Sequence, residues 1–342
     1  MSGFGNAIPV PGPAPAGDRT SGGGRCAFAR LRSRDVDEHA SRLDAWRQVY
    51  EQLRPGPFEG EVMEALFDGF QLFRETTSQA VHQSGLGRDA ALMFGAPLAM
   101  PDGGYYGGRP IRRDSVIVLH DGQELDFRTP AQLDLVAVSI PAGALRRHAI
   151  ECERRDLERD LRGLIVASLP PQRVEAFRRL LLAALEAVSC DPHVLAQPPA
   201  REALARSLLR GTLKLFGPAG GAGAPVRAPT RSHTLVRRAQ AIVRGRIEEP
   251  VTVEALCVEL DVCRRTLQYA FREVLGINPV GYLRAMRLNG AHRALKAAAG
   301  EGASVQDVAA RWGFWHLSHF AADYRRMFGE RPSETLKRYA RG

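Results

Sequence analysis

The sequence predicts an α+β protein, in which a β-rich N-terminal domain with a helical extension precedes an all-α C-terminal domain. Three observations support this fold class. The C-terminal third contains one helical pattern twice, the first half contains short apolar runs separated by turn residues, and a Gly/Ala/Pro segment lies between the two regions. A chain of 342 residues is long enough for two domains with separate cores.

The domain boundaries follow from composition. We predict a disordered tail (1–30), a β-rich domain with C-terminal helices (31–216), a flexible linker (217–230) and a helical domain (231–342). The linker consists mostly of Gly, Ala and Pro and cannot bury enough apolar surface to become ordered. The N-terminal tail has a similar composition and lacks the apolar segment of a signal peptide.

Short apolar runs are the main feature of residues 58–140, and turn-like clusters at 101–110 and 120–123 separate them. Short strands at this spacing are typical of a β-sandwich or a cupin-like barrel. Apolar residues at helical spacing then predict two helices, at 173–188 and 201–216. These helices pack on the β-rich domain, on each other or across a dimer, and the pattern does not distinguish the three arrangements.

The helical pattern of the C-terminal third repeats at an offset of 52 to 53 residues, first over 257–283 and again over 309–336. Such repetition indicates a duplicated structural unit. Each copy places a residue that tolerates a left-handed backbone, Asp261 or Gly313, between two amphipathic segments. Each copy therefore predicts a helix-turn-helix unit, whose second helix covers about 264–275 in the first copy and 315–328 in the second.

A long helix is predicted between the two units. Asn278 is a good N-cap and Pro279 a good first helical residue, and the segment continues to about residue 298. Some 20 residues make a rod of about 30 Å. Because successive major-groove faces of B-DNA are about 34 Å apart, the rod has the length needed to present two helices to one side of a duplex.

Charge is concentrated in the repeated region. Residues 231–342 contain 19 Lys and Arg against 11 Asp and Glu, so this third carries +8 of the net +9. Such a field is expected of a phosphate-binding domain. The five cysteines show no C-x-x-C pair, which argues against a disulfide framework and a structural zinc site. The absence of a run of 18 apolar residues argues against a transmembrane helix, and we predict a cytoplasmic, nucleoid-associated protein.

The motifs RTLQYAFREVLGINPVGYLRAMRL (265–288) and VAARWGFWHLSHFAADYRRMFGERPSETL (308–336) resemble the DNA-binding domain of AraC/XylS-family transcription regulators. The resemblance covers about residues 234–341. It implies that two helix-turn-helix units, joined by a central helix, bind successive major grooves. The positions that it implies for base contacts are Arg265, Gln268, Tyr269, Leu317, Ser318, His319 and Ala322.

Basic side chains near these faces are candidates for contacts to the DNA backbone, namely Arg264, Arg272, Arg284, Arg287, His316, Arg325 and Arg326. Arg and Gln side chains commonly make bidentate contacts to guanine and adenine edges, and a solvated helix surface is the simpler alternative for each position. We expect the aromatic residues Trp312, Phe314 and Trp315 in core and turn packing, not in stacking on bases.

The predicted function is that of a sequence-specific transcription regulator, with activation implied by the resemblance. Its expected partners are double-stranded promoter DNA, a small-molecule effector, RNA polymerase and a second copy in a homodimer, with no membrane. One alternative is an N-terminal enzyme tethered by the DNA-binding domain, and another is a sensorless regulator controlled by abundance. The sequence has no P-loop, G-x-S-x-G or H-E-x-x-H motif, and it predicts no catalytic residue, cofactor or metal.

The effector site is not predicted. Several polar residues of the first half are candidates for a pocket, although surface positions on turns and strands are the simpler interpretation: His82, Tyr105, Tyr106, Arg109, Arg112, Arg113, His120 and Glu124.

Overall fold

The computed structural model describes residues 26–101, 103–217, 230–246, 249, 251–298 and 304–340. The N-terminal region is β-rich and the C-terminal region is entirely helical, as the sequence predicts. The described part of the first region contains twelve strands: β1 (Ala27–Ser33), β2 (Arg47–Gln52), β3 (Gly60–Phe67), β4 (Phe70–Thr77), β5 (Val81–Leu86), β6 (Ala91–Ala99), β7 (Gly104–Tyr106), β8 (Arg109–Ile111), β9 (Ser115–Leu119), β10 (Glu124–Arg128), β11 (Leu133–Pro141) and β12 (Val166–Ser168).

The strands form two antiparallel sheets, one with the order β1-β3-β4-β11-β6-β9-β12 and the other with the order β2-β5-β10-β7-β8. Both faces of the larger sheet are covered. In β11, Leu135 and Ala137 belong to the core between the two sheets, whereas Val136 and Val138 pack against helices. Because both faces are buried, the apolar residues of β11 form a continuous run instead of an alternating one.

Five helices accompany the described sheets: α1 (Val36–Ala40), α2 (Ala142–Glu153), α3 (Leu157–Leu161), α4 (Pro171–Cys190) and α5 (Pro198–Phe216). Helices α4 and α5 confirm the two predicted helices, each beginning two or three residues earlier because a proline occupies the first turn. They pack on each other and on the larger sheet, where the rings of Phe94 and Phe216 lie 5.7 Å apart.

Strand β1 lies partly inside the predicted tail, since it begins at Ala27 and not after residue 30. All seven of its residues pair with β3, for example Leu31 with Val62. Hydrogen bonding to β3 at the edge of the larger sheet orders this segment, although apolar and polar residues alternate only weakly along it. The rest of the predicted tail and most of the predicted linker, residues 1–25 and 218–229, lie outside the described residues.

The described C-terminal region has seven helices: α6 (Arg231–Gly245), α7 (Val253–Leu260), α8 (Arg264–Leu275), α9 (Pro279–Ala297), α10 (Val305–Arg311), α11 (Leu317–Phe328) and α12 (Pro332–Tyr339). The predicted cap at Asn278 is present, and Thr252 caps α7 in the same way. Thr252 accepts a hydrogen bond from the Ala255 amide at 3.1 Å, and Asn278 accepts one from the Gly281 amide at 2.7 Å. The second recognition helix begins at Leu317, two residues later than predicted.

The helices share one core, in which Leu267 and Phe271 of α8 and Phe320 and Tyr324 of α11 are buried. Gly290 allows α10 to pack on α9, because a Cβ atom at this position would lie 2.1 Å from the ring of Trp312. No helix among the described residues is both long and apolar enough to cross a membrane.

Candidate nucleic-acid interface

The two helix-turn-helix units, α7–α8 and α10–α11, close their turns in the same way. Asp261 has a φ of 52° and Gly313 a φ of 73°, both in the left-handed region. The next amide bonds back into the first helix, from Val262 to the Cys257 carbonyl at 3.0 Å and from Phe314 to Ala309 at 2.9 Å. The repeat seen in the sequence is therefore a repeat of backbone geometry.

The positions expected to contact bases lie on two helix faces that other parts of the described chain leave uncovered. On α8, Arg265 and Tyr269 are exposed and Gln268 is half-buried, with 68% of Tyr269 accessible. On α11 the four expected residues are all exposed: Leu317, Ser318, His319 and Ala322. Both faces are thus available to a ligand, and their contacts with bases stay a prediction.

The candidates for backbone contacts fall into two groups. Arg272 and Arg325 are exposed and have no ion-pair partner among the described residues. Three other arginines already have ion-pair partners, because Arg264 pairs with Glu254 at 3.0 Å and both Arg284 and Arg326 contact Asp323.

Arg287 lies over the ring of Phe314, 5.9 Å from its centroid, and burial lowers the pKa of this arginine. His316 occupies the N-cap position of α11, and its ring centroid is 5.5 Å from that of His319. These contacts hold several basic groups close to the start of α11.

The expectation that Trp315 packs in the turn is wrong. Its side chain is 80% exposed, whereas Trp312 and Phe314 are half-buried against the core of the helical region. Trp315 follows the turn but precedes the helix, so neither element offers it an apolar surface.

Comparison with known proteins agrees with this geometry. The family described as a helix-turn-helix domain matches residues 256–338. The probable thc operon regulatory protein of Rhodococcus erythropolis is 34% identical over 103 residues, which cover 30% of this chain and 31% of that protein. A solved probable AraC family transcriptional regulator from Rhodopseudomonas palustris CGA009 is 36% identical, with 31% of this chain and 97% of that chain covered and a TM-score of 0.29.

The C-terminal region is an AraC-type helix-turn-helix domain. The XylDLEGF operon transcriptional activator 1 of Pseudomonas putida is 22% identical over 225 residues, which cover 65% of this chain and 66% of that protein. The predicted resemblance to AraC/XylS-family regulators is confirmed, and these matches point to a DNA-binding regulator rather than an enzyme. The chain spans less than a third of the length of the first two curated relatives.

The β-rich region contacts the helix-turn-helix domain through buried charges. Asp35 N-caps α1 and also receives hydrogen bonds from two residues of α9, one of which is Lys296 at 2.6 Å and the other His292. Burial favours a raised pKa for Asp35, but these bonds and charges hold it well below its usual range. His292 also bonds to the Tyr324 hydroxyl, so the contact extends into the core of α11.

A second carboxylate, that of the half-buried Asp126 of β10, contacts α6. Its oxygens lie 2.7 Å from His233 Nε2 and 2.9 Å from His82 Nε2. Burial favours a raised pKa for Asp126, yet the two histidines keep it far below its usual range. Burial also opposes the charge on His82, but its hydrogen bond to Asp126 and the nearby Glu51 carboxylate raise its pKa above the ordinary value.

A third contact between the β-rich region and the helical region involves no charged group. Asn289 of α9 pairs with the end of β2, accepting from the Gln52 amide at 3.1 Å and donating to the Gln52 carbonyl at 2.9 Å. The Gln52 side chain donates to the Met327 carbonyl at 2.7 Å, and the Gly56 amide donates to the same oxygen at 3.1 Å. The C-terminal turn of α11 is thus bonded directly to the β-rich region.

Sequence reasoning missed these contacts between the two regions. A usable signal was nevertheless present, since Asn289, His292 and Lys296 recur at helical spacing on α9 among apolar residues. Polar residues on a stripe that is otherwise buried must find partners, because an unpaired buried polar group is costly.

One cluster has the composition of a metal site. Ligand atoms of Asp35, Asp37 and His292 lie within 4.8 Å of one another. The ammonium of Lys296 lies 2.6 Å from Asp35 and 3.5 Å from Asp37, so a cation of the protein already neutralises the pair. We therefore interpret the cluster as an ion-pair network.

The polar residues considered for an effector pocket do not come together. Tyr106 lines a narrow cavity between the two sheets, His82 belongs to the Asp126 network, and Tyr105 lies under the guanidinium of Arg128. Arg112 and Arg113 instead line a surface groove beside the start of α4. Trp46, Tyr50 and Glu75 also line the cavity between the sheets.

Proposed function

We propose that the protein is a sequence-specific transcription regulator whose two helix-turn-helix units bind successive major grooves of promoter DNA. The observation that carries this proposal is the pair of exposed faces on α8 and α11, attached to opposite ends of α9. The 19 residues of α9 make a rod of about 28 Å, close to one turn of B-DNA. The net charge of the region suits a polyanionic partner.

Direct readout by the first unit follows from its side chains. We assign Arg265 to guanine and Gln268 to adenine, since these pairs form bidentate hydrogen bonds in the major groove. Arg272 and Arg325 occupy equivalent positions 53 residues apart and would neutralise backbone phosphates on successive turns.

Regulation would operate through the contacts between the two regions. The β-rich region bonds to α6 through Asp126 and to the end of α11 through Gln52 and Gly56. An effector that moves β2 or the segment after it would change the orientation of α11 relative to α8. Its action would be a population shift between arrangements with different affinities for DNA.

The remaining features of this proposal come from the resemblance. We infer that the regulator activates transcription by contact with RNA polymerase and that it pairs with a second copy on DNA.

Selection of binding sites from genomic DNA tests the proposed function. Full-length protein is incubated with sheared DNA from its source organism, and the retained fragments are sequenced. We expect a few enriched sites with two short elements about one helical turn apart. Retention without a shared motif would contradict sequence-specific regulation and leave only binding to the DNA backbone.

Effector response is tested separately by thermal unfolding of the full-length protein with a panel of metabolites. A ligand at one hundred times its Kd stabilises the folded state by about 2.7 kcal/mol. We expect at least one stabilising compound that also changes DNA affinity. If stabilising compounds leave DNA affinity unchanged, the coupling between the two regions is disproved.

A further inference from the structure

The turn of the second helix-turn-helix unit contains one residue more than the turn of the first. The left-handed residues Asp261 and Gly313 are 52 positions apart, whereas the N-caps Cys263 and His316 are 53 apart. The buried residues that anchor the two recognition helices also keep the offset of 53. The additional residue therefore lies between Phe314 and the N-cap of α11, and it is Trp315.

Trp315 is a large, mostly apolar side chain in a solvent-exposed position. Its indole is 80% exposed and contacts no other aromatic ring among the described residues. Leu317, at the first position of α11, is 44% exposed. Exposed apolar side chains are unfavourable in water, and two of them lie here at the N-terminal end of the second recognition helix. We call Trp315 and Leu317 together the apolar patch.

The rest of that helix has fewer polar side chains on its exposed face than its counterpart, because two positions are occupied by alanine. With the buried anchors aligned, Arg265, Gln268, Tyr269 and Arg272 of α8 correspond to four residues of α11, namely Ser318, Ala321, Ala322 and Arg325. Alanine cannot form hydrogen bonds with base edges through its side chain. The small side chains instead permit a close approach of the helix to the floor of a groove.

We propose that the second unit recognises thymine methyl groups through the apolar patch of Trp315 and Leu317, with the alanines of α11 allowing close approach. The C5 methyl of thymine is the apolar group that an unmodified base pair presents in the major groove. This inference rests on the proposed function.

Nearby charge favours DNA over a protein as the occupant of the patch. Exposed His316 flanks it in sequence, and Arg325, which has no ion-pair partner among the described residues, lies two turns further along the same helix. The guanidinium of Arg287 lies over Phe314, directly before Trp315. An apolar patch near the guanidinium groups of Arg287 and Arg325 fits a base edge between two phosphate backbones.

Deoxyuridine substitution tests the proposal at the level of single methyl groups. A binding site is first selected from a random DNA library with full-length protein, and the element read by the first unit is identified by its response to Arg265→Ala. Each thymine in the other element is then replaced by deoxyuridine, which removes the methyl and keeps the base pair. We expect at least one position at which affinity falls about fourfold, the change that corresponds to one buried methyl group.

The variants Trp315→Ala and Leu317→Ala connect the effect to the patch. Each should weaken binding to the thymine site and reduce the ratio between thymine and uracil sites towards one. Ile150→Ala, which removes an apolar side chain 55% exposed in α2, should change neither quantity. Because Trp315 is exposed, its replacement should leave thermal unfolding unchanged, which separates loss of contact from loss of fold.

Three results would overturn the inference. Equal affinity for thymine and uracil at every position of the second element would exclude methyl recognition. If both variants still distinguish thymine from uracil, other residues recognise the methyl group. If Trp315→Ala binds DNA normally, the indole does not contact DNA, and a protein partner becomes the better explanation of its exposure. A selection that yields no shared motif would overturn the proposed function as well, so the two failures are distinguishable.

Discussion

At the residue scale, the proposed base contacts of the first unit depend on single side chains of α8. Gln268 is half-buried at the centre of the exposed face of α8, between Arg265 and Arg272. This position limits the side-chain conformations of its amide without removing it from the surface. A restrained amide suits bidentate contact with one adenine, because little conformational entropy is lost on binding.

Replacement of Gln268 by Ala should relax base preference at one position of the binding site. We expect a loss of about 1–3 kcal/mol for the preferred base and little change for the other three. The measurement is a set of binding titrations against sites substituted at each position. The control is Arg210→Ala, which replaces an exposed arginine of α5. A uniform loss across all sites would contradict the assigned contact.

We propose a different role for Arg272 and Arg325, which are exposed and have no ion-pair partner among the residues that the structure describes. Replacement of Arg272 or Arg325 by Ala should weaken binding by a similar factor for all sequences. The slope of log affinity against log salt concentration should decrease in magnitude by about 1 for each arginine, because one phosphate contact is lost. Arg210→Ala again serves as the control, and an unchanged slope would exclude a phosphate contact.

At the scale of elements, α9 joins the two units and also connects them with the β-rich region. One side of this helix supplies the core of the helical domain, and the side with Asn289, His292 and Lys296 meets β2 and α1. Its backbone approaches α10 closely at Gly290. The result is a helix buried over most of its circumference, which explains why it shows little amphipathic character.

Asn289→Ala should destabilise the docking of α9 on β2. The substitution leaves the Gln52 amide and carbonyl without their partner in a buried site, at a cost of about 1–3 kcal/mol for an unpaired group. Denaturant unfolding of the full-length protein measures the loss, with Val280→Ala on the exposed side of α9 as the matched control. A change no larger than that of the control would show that the pairing does not stabilise the fold.

At the scale of the whole molecule, Asp126 is bonded both to His82 within the β-rich region and to His233 of α6, so the contribution of this network to stability should depend on pH. The raised pKa of His82 means that its contribution is complete below about pH 6.5 and is lost as pH rises through the raised value. The lowered pKa of Asp126 means that its contribution is present above about pH 4 and is lost as pH falls further. The network around Asp126 should therefore stabilise the folded protein most in mildly acidic solution.

His82→Gln should reduce the loss of stability on the alkaline side. Glutamine keeps hydrogen bonding to Asp126 but cannot be protonated, so the variant should be less stable near pH 6 and lose less stability up to pH 9. The Tm of both proteins across this range provides the measurement. Parallel curves for variant and parent would contradict a charged His82 in the folded protein.

Local rules account for most of what sequence reasoning predicted correctly. Asn278 caps α9 as expected, and Asp261 and Gly313 adopt the left-handed backbone that the turns need. These outcomes depend on residues within about four positions of each other. The exact start of α11 was missed because Trp315 fits a helix by composition, while the longer turn keeps it outside one.

The sequence by itself determined the fold class, the duplicated helix-turn-helix unit and the concentration of positive charge, since each arises from local spacing or from composition. Tertiary structure alone decided that Asp126 meets His233, that Gln52 meets Asn289 and that Trp315 remains in solvent. The first two pairs are separated by 107 and 237 residues. Periodicity reports that a side chain is buried, but the identity of its partner depends on how distant elements pack.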